Sequence, residues 1–210
     1  MAHDEAMLRA ATEPWLRIYS WRAPTVSIGF SQPLDVVPKN KRTWPVVRRW
    51  TGGGVVVHDG DWTYTLALPP DSDWCRVHAA ETYRWIHEAM IAALDACALT
   101  GAVLQPLSVS DGMGVCFIEP AKFDVVWNGN KIAGAAQRRN KTGLLHQGSV
   151  QGIALPADFT QKFAQQLSVG VTIVNHAETE ARFHNAAHHL ATEKYGTSTW
   201  LHERQVTAPN

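Results

Sequence analysis

Three groups of residues in this chain carry side chains and spacings suited to group-transfer chemistry. The first is Arg48-Arg49-Trp50-Thr51-Gly52-Gly53-Gly54-Val55-Val56-Val57-His58-Asp59, two arginines and a glycine triplet inside a run of β-formers. Three adjacent glycines carry a backbone entropy cost that an ordinary strand avoids, so something is expected to approach the main chain there. Glycine amides can donate to a carbonyl or a phosphate, and the Arg48 and Arg49 guanidinium forks suit anions. A plain hairpin loop is the other reading of the triplet. The second group is Lys131, which follows Trp127-Asn128-Gly129-Asn130 and precedes Ile132-Ala133-Gly134-Ala135-Ala136. This pattern predicts strand, Asn-Gly turn and strand, with a lysine just past the tip and room beside it for a ligand or another backbone. A solvated strand lysine is the alternative. The third is Cys116, in the glycine-bearing stretch Asp111 to Pro120, where a thiol near Lys131 and the arginine pair would have a lowered pKa and act as a nucleophile. It can equally be a buried structural cysteine.

The elements that must position these groups read as an alternation of helices and strands. A helix is expected over residues 2 to 10, and strands over Leu16 to Trp21, Thr25 to Phe30, Pro45 to Trp50 and Val55 to Leu68. Pro69-Pro70 ends that run. Asp71, Ser72 or Asp73 would cap a long helix whose Trp85, Ile86, Ala89, Met90, Ala93, Leu94 and Cys97 recur at helical spacing, closing near Gly101. Three strands follow, among them Leu144 to Val150 with His146, Gln147 and Gly148. Helices from about Pro156 to Leu167 and Glu178 to Tyr195 complete the chain. The fold class is α/β with a mixed, mainly antiparallel sheet flanked by helices.

Composition sets limits. At 210 residues, 45% hydrophobic and 18% charged, the chain fits one compact domain over 1–210 with a core over about 2–195. Its 19 basic and 19 acidic side chains cancel, which gives no electrostatic case for nucleic acid. No apolar run approaches the roughly 20 residues of a membrane span, and the acidic start is unlike a signal peptide. Three irregularly spaced cysteines, Cys75, Cys97 and Cys116, argue for a reducing compartment, so a cytoplasmic location is expected. Glu180, His184 and His188 have metal-binding spacing on a helix, but without a further ligand motif they read as a solvated face, and no metal is expected.

Taken together, RRWTGGGVVVHDGDWTYTL, NGNKIAGAAQRR and LLHQGSV, with MAHDEAML and PTVSIGFSQ as weaker pieces, resemble the lipoate-protein ligase A family, whose relatives include octanoyltransferases and biotin-protein ligases. The resemblance implies the biotin and lipoate ligase catalytic fold. It also implies that Lys131 contacts the acyl carbonyl and that Cys116 carries the acyl group as a thioester. Arg48, Arg49, Gly52, Gly53, Gly54, His58, Gly134, Ala135, His146 and Gly148 are the substrate-binding positions it points to, with His58 ordering the loop. The implied activity is transfer of an octanoyl or lipoyl group to a lysine of a lipoyl-accepting domain, with an acyl-carrier protein as donor and no tightly bound cofactor. An ATP- and Mg-dependent lipoate-protein ligase is the enzyme alternative, and a lipoyl-binding relative without turnover is the non-enzyme one. Three departures stand out, the first being Gly52-Gly53-Gly54, which reads as in the ligases where cysteine-type octanoyltransferases often have Gly-Gly-Arg. The family more often has histidine where this chain has Gln147, and no C-terminal accessory domain of the ligase kind is expected.

Overall fold

The computed structural model describes residues 1–106 and 121–206, and Cys116 lies outside them. The chain opens with helix α1 (Ala2–Ala10), followed by strands β1 (Trp15–Tyr19), β2 (Thr25–Ile28), β3 (Val46–Arg48), β4 (Val56–His58) and β5 (Trp62–Leu68). Helix α2 (Ala79–Ala96) leads to β6 (Val103–Leu104), and beyond residue 120 come β7 (Val125–Trp127), β8 (Asn130–Asn140) and β9 (Gly143–Val150). Helices α3 (Phe159–Leu167), α4 (His176–Leu190) and α5 (Ser198–Glu203) follow, with a π-helical turn at Ala191–Tyr195 between the last two.

Two sheets result. Six antiparallel strands run in the order β1-β5-β9-β8-β7-β6, and a small sheet of order β3-β2-β4 pairs β2 with β3 in parallel. The Val55 to Leu68 stretch is divided between them. Gly60, at φ +80°, turns the chain so that β4 stays in the small sheet while β5 crosses to the large one. The expected lysine hairpin is present: Asn128 and Gly129 have φ of +49° and +76°, the positive pair that a two-residue turn between twisted strands requires, and Trp127 faces Asn130.

One face of the large sheet is apolar. Tyr64, Leu66, Leu68, Leu144 and Val150 pack there against Ile86, Met90 and Leu94 of α2 and Phe159 and Phe163 of α3. Burial of each such side chain contributes about 1.5–3 kcal/mol, which fixes the register of β5, β8 and β9. The opposite face is polar over Thr63, Thr65, Gln147 and Ser149, all buried, and apolar at Ala67 and Leu145, which pack against α1 and α4. Helix α1 covers part of it and buries two acids: Asp4 pairs with Arg17 at 2.8 Å, and Glu5 pairs with Arg9 and Lys194, each at 2.5 Å.

Several boundaries differ from the sequence expectation. Helix α2 starts at Ala79 with His78 as its cap, because Asp73–Cys75 forms a separate 3-10 turn. It ends at Ala96, with Ala98 in the left-handed region, before Gly101. Helix α4 starts earlier than expected, at an Asn175–Glu178 capping box. The packed body also runs beyond residue 195: Trp200 Nε1 donates to the Arg48 carbonyl, and Arg48 Nε donates to the Leu201 carbonyl.

Candidate active site

The glycine loop joins β3 to β4 and rests on the polar face of the large sheet. Gly53 has φ +80°, a conformation other residues adopt only with strain, and a side chain there would meet Ala136 at 3.2 Å. Much of the close approach expected at this loop is backbone on backbone: a Cβ on Gly29 would lie 1.9 Å from the Gly53 carbonyl. A Cβ on Gly52 would meet nothing within 4 Å.

The arginine pair does not present its forks outward as expected. Arg48 is buried, and its Nη1 donates to the Gly29, Phe30 and Gln32 carbonyls at 3.1, 3.0 and 2.5 Å. Arg49 donates from Nη2 to the Gly52 and Gly54 carbonyls at 3.0 and 2.6 Å, and from Nη1 to Ser27 Oγ at 2.6 Å. Of six bonds to main-chain oxygens, two from Arg49 frame the glycine loop and four from Arg48 fix Leu201 and the turn over residues 29–32 beside it, because a planar fork holds several carbonyls at once.

His58 acts on that frame through Ser27. Ser27 Oγ lies 2.7 Å from His58 Nε2, and His58 Nδ1 lies 2.7 Å from Asp61 Oδ2. Since Arg49 already donates to Ser27 Oγ, the serine proton is left for Nε2, and the imidazole then donates from Nδ1 to Asp61. Thr63 and Ser149 also donate to Asp61 Oδ2, and Trp21 stacks on the imidazole with centroids 4.2 Å apart. Burial pushes the His58 pKa down, and Asp61 offsets only part of that. Burial raises the Asp61 carboxyl, but the His58 and Ser149 bonds outweigh it and leave the group below its usual range. All three members are buried, so the arrangement orders the loop and does not expose a serine nucleophile. Next to it, a cleft of about 730 Å³ opens between Tyr19, Val57, Asp61, Trp62 and Gln151.

Lys131 lies at the edge of β8, where β7 pairing ends at Ala133. Its ammonium sits 2.7 Å from Asp124 Oδ2. The small residue beside it has a specific use: a Cβ on Gly134 would fall 2.8 Å from Lys131 Cε and 2.9 Å from Nζ. The lysine side chain itself fills the room that the sequence suggested for a ligand. Gly134 and Ala136 share one face of β8 by strand alternation, so the ammonium and the glycine loop stand two positions apart on the same face.

Ala135, His146 and Gly148 face the other way, into the packing against α2. His146 Nε2 lies 2.9 Å from Tyr64 Oη, its ring is packed against Tyr83 and His87, and burial drives its pKa well below 6.5. A side chain on Gly148 would strike the Tyr64 ring at 2.3 Å, so this glycine makes room for an aromatic ring. The residue that does face the glycine loop is Gln147: its Oε1 accepts from Thr51 Oγ1 at 2.8 Å and its Nε2 donates to Asp4 Oδ2 at 2.7 Å.

Sequence reasoning did not single out Ser27, Thr51, Asp61, Tyr83 or Asp124. Thr51 and Asp61 stand inside the RRWTGGGVVVHDGDWTYTL piece, and Asp124 lies three residues before Trp127 of the lysine hairpin, so their positions carried a signal. Ser27 stands in the weaker PTVSIGFSQ piece, and Tyr83 carried no signal. Arg138 and Arg139, which end the NGNKIAGAAQRR piece, point inward to the carbonyls of Trp50 and of Cys75 and Val77. On α4, the His184 and His188 rings lie 6.0 Å apart. Among the described residues no group of three His, Cys, Asp or Glu is placed to hold a metal ion.

A two-sheet frame that sets a lysine hairpin beside a glycine loop defines the lipoyl ligase class of fold, and solved structures agree. A lipoate-protein ligase A bound with ATP superposes with a TM-score of 0.72 at 22% identity, covering 95% of this chain and 91% of that one. A T. acidophilum protein solved with bound lipoic acid gives 0.73 at 23%, with the same coverage. Residues 1–176 match the lipoyl protein ligase A/B catalytic domain, and the chain belongs to that family. Among curated proteins, octanoyltransferase LipM of Bacillus cereus is 34% identical over 167 residues, 71% of this chain and 59% of its own. That of Staphylococcus aureus is 32% identical over 165 residues, 71% of this chain and 60% of its own. The chain thus spans about three fifths of the length of the curated relatives it matches. No helix among the described residues is long and apolar enough to cross a membrane.

Proposed function

We propose that this protein is an acyltransferase that moves an octanoyl or lipoyl group onto a lysine of a lipoyl-accepting domain through a Cys116 thioester. The observation that carries the reading is the Lys131 ammonium, ion-paired over Gly134 beside the glycine loop, in a chain 34% identical to an octanoyltransferase. In the first step the Cys116 thiolate attacks the thioester carbonyl of an octanoyl-carrier protein, and the carrier thiol leaves. In the second, the neutral amine of the acceptor lysine attacks the Cys116 thioester, an amide forms, Cys116 leaves as thiolate, and the proton the amine loses passes to solvent. Lys131 donates to the carbonyl oxygen as negative charge develops in each step. Gly52, Gly53 and Gly54 line the acyl site, Arg49 holds the Gly52 and Gly54 carbonyls, and the Ser27–His58–Asp61 relay supports Arg49 from behind. The reaction needs a reduced thiol, which fits a cytoplasmic setting.

The acceptor belongs to this proposal, and one archaeal relative of the same fold was studied as a bi-partite lipoate protein ligase with its E2 lipoyl domain. The runner-up is ATP-dependent ligation of lipoate. Intact-mass measurement separates them: incubation with octanoyl-carrier protein should add one octanoyl group to the protein, whereas lipoate with ATP and Mg should not be required. Acylation of an acceptor domain only with lipoate plus ATP, with no adduct on the protein, would establish the ligase reading instead.

A further inference from the structure

The turn that carries Asp124 is held in an uncommon conformation from one side. Phe123 has φ +70°, a left-handed value that a bulky residue adopts at a cost of about 1–3 kcal/mol unless its surroundings impose it. Four bonds impose it here. Ala121 N–H donates to Asp124 Oδ2 at 2.6 Å and Asp124 N–H to the Ala121 carbonyl at 3.1 Å, while Phe123 N–H and the Asp124 carbonyl both bond Gln105. Two residues of α2, one turn apart, then grip the turn. His87 Nδ1 lies 2.6 Å from the Phe123 carbonyl. Tyr83 Oη donates to Asp124 Oδ1 at 2.5 Å and accepts from Ala135 N–H at 2.9 Å.

The second of these phenol bonds falls at a telling place. Ala135 lies just past the point where β7 stops pairing with β8, so its N–H faces an edge that no strand pairs among the described residues, and Tyr83 bonds it there. One hydroxyl thereby locks the Asp124 carboxylate to the strand that carries both Lys131 and Gly134. The carboxylate's remaining oxygen is aimed at the ammonium, 2.7 Å away. Tyr83, His87 and Asp124 are all buried or half-buried, and Asp124 is 1% exposed, so water does not compete for these bonds.

We propose that Tyr83 and His87 are positioning residues for the Lys131 ammonium, acting through the Ala121–Asp124 turn. This assignment rests on the acyl-transfer role given to Lys131 above. Without the α2 grip the turn relaxes, Asp124 swings, and the ammonium is no longer fixed over Gly134 where an oxyanion would form.

The test combines kinetics with an activity-independent probe. Tyr83→Phe removes one hydroxyl and little volume. It should lower kcat for acyl transfer roughly ten- to a hundredfold, the worth of a hydrogen bond to a charged group, with KM for the acyl donor nearly unchanged. His87→Asn, whose amide can replace the Nδ1 donor, should retain most of the rate, and His87→Leu should not. In the Lys131→Ala background Tyr83→Phe should cost nothing further, because both changes remove the same interaction. Reductive methylation of the whole folded protein, read by peptide mass spectrometry, should label Lys131 about tenfold faster in Tyr83→Phe and in Asp124→Asn than in wild type, with other lysines unaffected. Unchanged labelling of Lys131 in Tyr83→Phe and His87→Leu overturns the proposal, as does a Tyr83→Phe loss that adds in full to that of Lys131→Ala. A wild-type rate in Lys131→Ala overturns the acyl-transfer role itself, and the labelling then still decides whether α2 holds the ammonium.

Discussion

Thr51 and Gln147 are joined side chain to side chain, Oγ1 donating to Oε1 across 2.8 Å, and this contact fastens the glycine loop to β9. The amide of Gln147 serves the other side as well, donating to Asp4 on α1. A glutamine at this position therefore bonds both of its neighbours, Thr51 and Asp4, since one amide supplies both an acceptor and a donor. Gln147→Leu would strand the buried Thr51 hydroxyl and leave the buried Asp4 Oδ2 with only the amino terminus 3.5 Å away, each at a desolvation cost of about 1–3 kcal/mol. Urea unfolding should show a loss of at least about 2 kcal/mol, mostly as a shift in midpoint. Full stability in Gln147→Leu would show that the contact contributes nothing to the fold.

The neutral buried histidines predict how stability depends on pH. His58, His87 and His146 all have pKa values pushed below 6.5, in each case chiefly by burial. Below about pH 6.5 the unfolded chain binds protons that the folded protein excludes, so stability rises with pH in that window and is lost as pH falls. Three such groups give a slope of up to about 4 kcal/mol per pH unit, one third of it from each. Asp61, held below its usual range, contributes its loss only at lower pH, near and under 3.8. Unfolding free energies measured from about pH 7.5 down to about pH 5.5 should fall steeply, and His146→Phe should make the slope shallower. A flat profile would mean that these side chains are protonated in the fold.

The two glycines of the lysine and β9 strands should fail in different ways. In Gly134→Ala the new methyl would sit within 3 Å of Lys131 Cε and Nζ and 3.2 Å from Asp124 Oδ1, so the ammonium must move. Transfer should fall on the order of 10²–10³, as for loss of an oxyanion donor, while the thermal midpoint changes little because the displaced group is the end of a flexible side chain. In Gly148→Ala the methyl would meet the buried Tyr64 ring at 2.3–2.5 Å, and overpacking of this kind costs about 1–3 kcal/mol. That variant should lose stability and keep the rate per folded molecule. The opposite pattern, with Gly134→Ala active and Gly148→Ala inactive at full stability, would place the acyl site on the α2 face of the sheet.

How far the site was legible in the sequence follows from the same residues. Local chemistry was: Asn128-Gly129 specified its turn and the lysine just beyond it, and the glycine triplet marked a close backbone approach. The side of the sheet was not. His146 and Gly148 were chosen for their motif, but strand alternation puts them on the face opposite Gln147, and a pattern in which every residue of β9 is buried offers no polar face to read. The arginines were read as ligand donors because their type suits anions, whereas carbonyls distant in sequence, such as that of Leu201, claim them. Tyr83 and His87 sit among the apolar residues of α2 and resemble ordinary core positions until the turn they grip is seen.

Cys116 gives the most direct test of the chemistry. A covalent acyl-enzyme needs this thiol, whereas an adenylating ligase would place its acyl group on AMP and needs no protein nucleophile. The other two cysteines have settled local partners: Cys75 Sγ donates to the Pro69 carbonyl at 3.3 Å, and Cys97 Sγ lies 3.8 Å from Asp158 Oδ1. Burial raises the Cys75 pKa, which keeps it a thiol and a poor nucleophile. Octanoyl transfer should therefore vanish in Cys116→Ala and persist in Cys75→Ala and Cys97→Ala. Hydroxylamine should release octanoate from acylated wild-type protein, since it cleaves thioesters readily. Cys116→Ser should accumulate a slowly hydrolysing oxygen ester, because a serine hydroxyl is a weaker nucleophile than a thiolate and its ester the poorer acyl donor to a lysine. Full, ATP-dependent activity in Cys116→Ala would remove the thioester and leave ligation through an acyl-adenylate as the mechanism.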